Sequence, residues 1–237
     1  MALRLACDLD GTVADMEGAL QREAEQLFGS DVVLRPVGSA HLEAPVDVEA
    51  PAEGAPAVDS SAGKKPLTSR QLRQLWEHVA IIDNFWGTLK EIEPGSVARI
   101  ARLRTAHRVE VIFLTQRPDT AGETTQLQSQ RWLEAHGFQL PSVYVLRGSR
   151  GKAAAALHID VVLDDRPENC LEVVAESKAR PILVWRDPID TVPPGAARLR
   201  IETVFSIGDA LQRIEDLIGG AGPKSTFVSR LRKVIGR

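Results

Sequence analysis

Two aspartates stand two residues apart near the start of the chain, in Leu3-Arg4-Leu5-Ala6-Cys7-Asp8-Leu9-Asp10-Gly11-Thr12. A short apolar run stops abruptly at Asp8, and Gly11 permits a tight departure from it. Such a run reads as a buried parallel strand. Residues i and i+2 of a strand share a face, so Asp8 and Asp10 would project together from the tip. Open α/β sheets bind their ligands at that edge. Two carboxylates held close in a dry site repel one another. Either a hard divalent cation compensates, or one carboxyl stays protonated and serves as an acid. Phosphoryl transfer would use both: one Asp attacks phosphorus and the other protonates the leaving oxygen. The plainer alternative is that the pair caps the following turn or helix.

Three later apolar runs also end in polar residues suited to the same chemistry. Val109–Leu114 runs into Thr115, whose hydroxyl could bond a phosphate oxygen, with Arg117 close behind. Ser142–Leu146 leads to Arg147-Gly148-Ser149-Arg150-Gly151-Lys152 at the start of a short helix. A lysine at a helix N-terminus opposes the helix dipole, and a bound phosphate would resolve the conflict. Lys152 is therefore preferred over Arg147 and Arg150, which read as solvated loop charges. The glycines lack P-loop spacing. Asp160–Leu163 runs into Asp164-Asp165-Arg166, and strand alternation sets Asp164 and Asp165 on opposite faces, so they should not be equivalent. Asn169 either bonds near the site or caps the next helix.

Asp8-Leu9-Asp10-Gly11-Thr12 resembles the first motif of the haloacid dehalogenase (HAD) superfamily, D-x-D-G-T/V. Thr115, Lys152 and Asp164-Asp165 resemble its second, third and fourth motifs, in order, so the resemblance spans roughly Leu3 to Arg186. It implies an α/β fold: a Rossmann-like parallel sheet flanked by helices, with a small helical cap inserted after the first motif. It also implies Mg²⁺-dependent phosphomonoester hydrolysis through an aspartyl-phosphate. Asp8 would be the nucleophile and Asp10 the acid and base, while Thr115 and Lys152 would bind the phosphoryl group. The metal would be held by Asp8, the Asp10 carbonyl and the Asp164/Asp165 pair; one of that pair would contact it directly, with Asp165 favoured over Asp164. Phe85-Trp86 ahead of Glu93-Pro94-Gly95, together with Leu163-Asp164-Asp165-Arg166, resembles the 5′(3′)-deoxyribonucleotidases. That points to a 5′-nucleotidase acting on (deoxy)nucleoside monophosphates. Other phosphatase substrates, namely sugar phosphates or polynucleotide 3′-phosphate ends, stay open, as do phosphoryl transfer to an alcohol and a non-catalytic phosphate sensor.

The positioning elements follow from pattern. Residues 1–12 and 94–218 read as the core, 13–93 as the helical cap, and 219–237 as a basic amphipathic tail. A helix is expected from Val13 to Phe28, with Asp15 an ordinary first-turn carboxylate. Residues 31–66 are rich in Pro and Ala and read as a flexible loop. Thr68 reads as an N-cap. Phe85 and Trp86, with Arg117, are candidate substrate contacts; the aromatic pair would stack on a ring or else pack the cap onto the core. Thr124 to His136 reads as a helix with Leu127, Trp132 and Leu133 facing the core.

The 237 residues are 43% hydrophobic with net charge −3, enough for a buried core and no signature of general nucleic-acid binding. Two cysteines without metal spacing fit a reducing, cytoplasmic setting. No apolar stretch is long enough to span a bilayer. The expected partner is a small phosphorylated molecule, with a homodimer left open.

Overall fold

The computed structural model describes residues 2–34 and 64–219. The elements run β1 (Arg4–Asp8), α1 (Met16–Phe28), β2 (Val32–Val33), β3 (Lys65–Pro66), α2 (Ser69–Ala80), a 3₁₀ turn at Phe85–Thr88 and α3 (Ser96–His107). They continue with β4 (Glu110–Thr115), α4 (Thr125–Ala135), β5 (Ser142–Val145), α5 (Arg150–Ala156), β6 (Val161–Asp164) and α6 (Pro167–Glu176). The last are β7 (Arg180–Val184), α7 (Pro194–Arg198), β8 (Glu202–Val204) and α8 (Ile207–Ile218). The result is the α/β, Rossmann-like architecture expected: six parallel strands in the order β5-β4-β1-β6-β7-β8, flanked by helices.

β1 lies between β4 and β6, which explains why it is apolar on both faces. Leu5 and Cys7 face one layer, where Val97 and Ile100 of α3 and Ile207 and Ile214 of α8 join them. Ala6 faces the other, with Ala154 of α5 and Val173 of α6. The chain proceeds from β1 outward through β4 to β5, then returns to place β6 on the far side of β1. That reversal opens a crevice at the C-terminal tip of β1.

The segment between β1 and α3 joins the core through two chain stretches lying side by side. Asp15 N–H donates to Lys90 O at 2.8 Å, and Ile92 N–H to Val13 O at 2.9 Å. The helix expected from Val13 begins only at Met16. The N–H groups of Val13 and Ala14 both turn back to Leu9 O, at 2.9 and 2.7 Å, in a tight turn where Leu9, Thr12, Val13 and Ala14 are buried. Asp15 then caps the helix by accepting from Gly18 N–H at 2.8 Å. Thr68 forms the expected cap of α2, reciprocated by Gln71. The ends of the Pro/Ala-rich stretch pair in a two-residue parallel ladder, β2 with β3. Its residues 35–63, and the basic tail from 220 onward, lie outside the described residues.

α4 departs from the expected pattern. Leu127 is partly exposed at 37%, whereas Gln128 and Ser129 are buried. The Gln128 side chain accepts from Trp86 N–H at 3.1 Å and donates to Thr120 Oγ1 at 3.1 Å, serving backbone and loop groups that an apolar residue would leave unpaired. Trp132 is buried as expected, and its indole N–H donates to Leu89 O at 2.7 Å. It therefore fastens the returning chain at 89 to the core. Trp132→Ala is expected to cost about 3–5 kcal/mol of stability, read as a lower urea midpoint, because it removes a full buried ring and orphans a carbonyl.

Candidate active site

The parallel register sets Asp8 at the end of β1, Thr115 at the end of β4 and Asp164 at the end of β6, on one edge of the sheet. Asp8, Asp164 and Asp165 are buried, and one carboxylate oxygen from each lies within 4.8 Å of the others. β6 ends at Asp164, so the chain leaves strand geometry there and both neighbours reach the cluster. They are not equivalent. Asp164 accepts from Asn169 Nδ2 on both oxygens, each at 3.0 Å, and from Arg166 N–H at 2.9 Å. Asp165 accepts from the Thr12 hydroxyl at 3.1 Å. Gly11 is required beside it: φ is +80°, and a Cβ there would stand 2.0 Å from Asp165 Oδ2.

Arg150, not the preferred Lys152, enters this cluster, and Arg166 and Arg186 act on its acids as well. The Arg150 side chain is 3% exposed; Nη2 donates to Asp8 Oδ1, and Nε lies 3.3 Å from Asp164 Oδ2. Its Nη1 is buried without a hydrogen-bond partner among the described residues. The Lys152 side chain is 78% exposed, with Nζ 4.0 Å from Glu176 Oε1. The reason is helical phase. Ser149 caps α5 by accepting from the N–H groups of Gly151 and Lys152, and Gly151 is pressed against α6, where a Cβ would meet Glu172 O at 2.2 Å. That contact turns Arg150 inward and Lys152 outward.

Asp10 does not share the cluster. Thr115 Oγ1 donates to its Oδ2 at 2.9 Å. Arg117 donates from Nε to both oxygens at 2.9 Å and from Nη2 to Oδ1 at 2.8 Å. Arg117, expected as a substrate contact, is instead wholly buried at its side chain and grips Asp10. Phe85 and Trp86, expected as candidates to stack on a substrate, are buried at 2% and 0% and pack edge to face. Trp86 donates to Pro118 O at 2.9 Å, so the pair binds the inserted segment to the core. Asn169, Thr12, Arg150 and Ser129 complete these contacts. Of the four, the sequence offers Asn169 as a candidate, Arg150 only behind Lys152 and Thr12 only as part of the first motif, and gives no signal for Ser129.

Burial dominates the electrostatics. It pushes the Asp8 carboxyl well above its usual range, and the neighbouring acids add to this against the opposing pull of Arg150. Asp164 is raised by burial despite Arg150 and its hydrogen bonds. Asp165 is pushed up to about 7 by burial and by the Asp164 charge. Arg150 is raised: burial opposes its charge, but Asp8 and Asp164 outweigh that. Burial also lifts the thiols of Cys7 and Cys170, which makes neither a nucleophile. The Arg150 guanidinium cannot by itself balance three carboxylates. An all-oxygen, anionic donor set of this kind suits a hard divalent cation such as Mg²⁺. A cleft lined by Gly11, Asp15, Met16, Asp165, Trp185 and Arg186 opens beside the cluster. Arg186 secures its floor by donating to the carbonyls of Gly11 and Thr12 at 2.8 and 2.9 Å.

No protein-family model matches the chain, and no curated protein matches it. Among solved structures it resembles a HAD family hydrolase from Deinococcus radiodurans R1, described with bound phosphate and sodium. The TM-score is 0.53 at 16% identity, over 92% of this chain and 96% of that one. A putative beta-phosphoglucomutase from Thermotoga maritima aligns at a TM-score of 0.49 and 16% identity, over 90% and 99% of the two chains. The first likeness is one of fold: the sheet and helices of this chain are arranged as in that HAD hydrolase.

Two outcomes follow from the charge balance. A carboxyl whose folded pKa is raised stabilises the fold below its unfolded value of about 4 and loses that contribution as pH rises through the folded value. For Asp165 the loss falls between about pH 4 and 7. Metal-free protein is therefore expected to melt lower at pH 8 than at pH 5.5, with Mg²⁺ at saturating excess restoring about 5 °C at pH 8 and little at pH 5.5, by calorimetry. Gly11→Ala is expected to abolish most of that Mg²⁺-dependent gain, because the new methyl occupies the place of the Asp165 carboxylate.

Proposed function

We propose that this chain is a divalent-metal-dependent phosphomonoesterase that works through an aspartyl-phosphate on Asp8. The observation that carries the reading is the setting of Asp8. Asp8 lies against the carboxylates of Asp164 and Asp165 and against a buried guanidinium that reaches both Asp8 and Asp164 and keeps an N–H group without a partner among the described residues. A carboxylate in that position is flanked by a cation seat and an anion donor. A phosphate ester needs both to accept an anionic nucleophile. The fold it shares with a HAD hydrolase supports the same reading.

Asp8, Asp165 and Asp164 would hold Mg²⁺, which supplies neutralisation of the phosphate charge. A carboxylate oxygen of Asp8 attacks phosphorus, and the bond from phosphorus to the ester oxygen breaks. The electron pair leaves on that oxygen, which takes a proton from the Asp10 carboxyl and departs as the alcohol. Water then attacks the same phosphorus and gives a proton to Asp10, and the acyl-phosphate bond breaks to return the electron pair to Asp8. The sum is ester plus water to alcohol plus inorganic phosphate. Arg150 donates to the transferring phosphoryl oxygens and carries the positive charge first assigned to Lys152. Thr115 serves the site by donating to Asp10. The described stretches of the inserted segment at the cleft, around Asp15 to Glu17 and Ile92, would limit bulk water there.

The resemblance to 5′(3′)-deoxyribonucleotidases makes a deoxynucleoside monophosphate the first ester to test. The burial of Phe85 and Trp86 withdraws the stacking platform from that choice, so a nucleobase would have to be recognised elsewhere in the cleft. Phosphate release would be measured against nucleoside and deoxynucleoside monophosphates, sugar phosphates and p-nitrophenyl phosphate, with and without Mg²⁺. Asp8→Asn is expected to lower turnover by about 10³-fold or more on whichever ester is cleaved. Arg150→Gln is expected to lower it by about 10²-fold, while Lys152→Gln leaves it within about twofold. Metal-dependent release from sugar phosphates alone would keep the chemistry and discard the nucleotidase substrate. No release from any ester, in folded protein, would discard both.

A further inference from the structure

We propose that Arg117 is a positioning residue for the proton-transfer group Asp10, acting as a rigid brace between Asp10 and the root of the inserted segment. The inference rests on the phosphomonoesterase reading. A substrate-binding arginine presents its N–H groups to a cleft. Arg117 does the opposite. Its side chain is wholly buried, and its Nε and Nη2 are spent on Asp10 at 2.8–2.9 Å. Its Nη1 donates to Ser129 Oγ at 2.9 Å, and Ser129 in turn donates to Thr125 O at 2.8 Å within α4. The guanidinium carbon sits 5.0 Å from the centre of the Trp86 ring. Trp86 is pinned by its bond to Pro118 O.

Asp10 lies beyond the end of β1, on the tight turn that opens the inserted segment, so the strand does not orient its side chain. The orientation comes from outside: the Thr115 hydroxyl on Oδ2, and the planar guanidinium contacting both oxygens. Two directions of restraint fix the carboxylate plane, which a single ammonium could not do. Proton transfer to a leaving oxygen depends on such placement, and a misplacement of about 1 Å costs on the order of 10²-fold. Because Trp86 and Ser129 hold the brace, the position of the 3₁₀ turn at Phe85–Thr88 is transmitted to Asp10.

The leaving group separates this role from a structural one. p-Nitrophenolate departs without a proton, whereas the alkoxide of glycerol phosphate does not. Hydrolysis of the aspartyl-phosphate needs Asp10 for both. Arg117→Gln, Arg117→Lys and Ser129→Ala would be compared with wild type and with Asp10→Asn, with Mg²⁺ present, by rapid mixing and in the steady state. In Arg117→Gln the first p-nitrophenol equivalent is expected to appear at a rate within about threefold of wild type. Steady-state turnover of both esters falls by about 10²-fold; KM for p-nitrophenyl phosphate falls in step with it, because kcat/KM reports the unchanged first step, whereas KM for glycerol phosphate changes by less than about twofold. Arg117→Lys follows Arg117→Gln. Ser129→Ala, which keeps the guanidinium and removes one anchor, shifts the same ratio in the same direction by about tenfold and holds the test open if position 117 does not tolerate change. A raised KM with unchanged kcat would overturn the inference and return Arg117 to substrate binding. Parallel loss of the first equivalent and of turnover, or no loss of either, would also overturn it. Silence of the wild type on both esters would overturn the phosphomonoesterase reading, and the inference with it.

Discussion

Three carboxylates are held out of water within 4.8 Å of each other, and the remainder of the structure is arranged around that concentration of negative charge. Burial lifts Asp8, Asp164 and Asp165 toward the protonated state, and the neighbouring acids add to it for Asp8 and Asp165. Arg150 opposes it for Asp8 and Asp164, and hydrogen bonds from Thr12, Asn169 and the Arg166 backbone hold the oxygens in place. A site built this way gains from any ligand that brings positive charge to oxygen. Its geometry is costly to the fold without one. The pairing of β1 with β6 sets Asp8 beside the strand that ends at Asp164, with Asp165 next in the chain.

Two buried arginines divide two aspartates that the sequence sets side by side. Arg150 takes Asp8 and Arg117 takes Asp10. Their shared strand tip does not make the two carboxylates a pair. Asp8 still belongs to β1, while Asp10 lies in the turn where Gly11 reverses the chain and Val13 and Ala14 bond back to Leu9. The separation has a chemical consequence. On the proposed chemistry, the nucleophile would sit next to the metal seat and the proton carrier where it reaches the leaving oxygen.

The strand tips were legible because an apolar run that ends in Asp or Thr is a one-dimensional signal. β1, β4, β5 and β6 fall where the apolar runs place them, whereas α1 begins at Met16 and α5 already at Arg150. Side-chain direction was not legible in the same way. Arg150 and Lys152 lie two residues apart on α5, and which of them enters the core depends on the helix's rotation. That rotation is set by the close approach of Gly151 to Glu172 O of α6. A clue was present in the spacing of Arg150, Gly151 and Ala154, the buried residues of that helix. A charge on the buried face of a helix reads as an error unless its partner is already known. The same holds for α4, where Gln128 and Ser129 take buried positions because one serves the turn at Trp86 and the other holds Arg117. Hydropathy assigns such positions to the surface.

Phe85 and Trp86 show how one composition fits two roles, of which the structure takes the packing one. Aromatic residues near a site are attractive as stacking surfaces, yet a ring with no exposure has none to offer. Their burial has its own logic. The inserted segment must leave the core and return to it beside the cluster, and its returning strand is secured by Trp86 on Pro118 and by Trp132 on Leu89. The first of those rings lies over the guanidinium of Arg117. A cation sandwiched between an aromatic face and a carboxylate is stabilised from both sides. The anchoring of the insertion and the orientation of Asp10 are therefore one physical arrangement, and a change that loosens either must loosen the other.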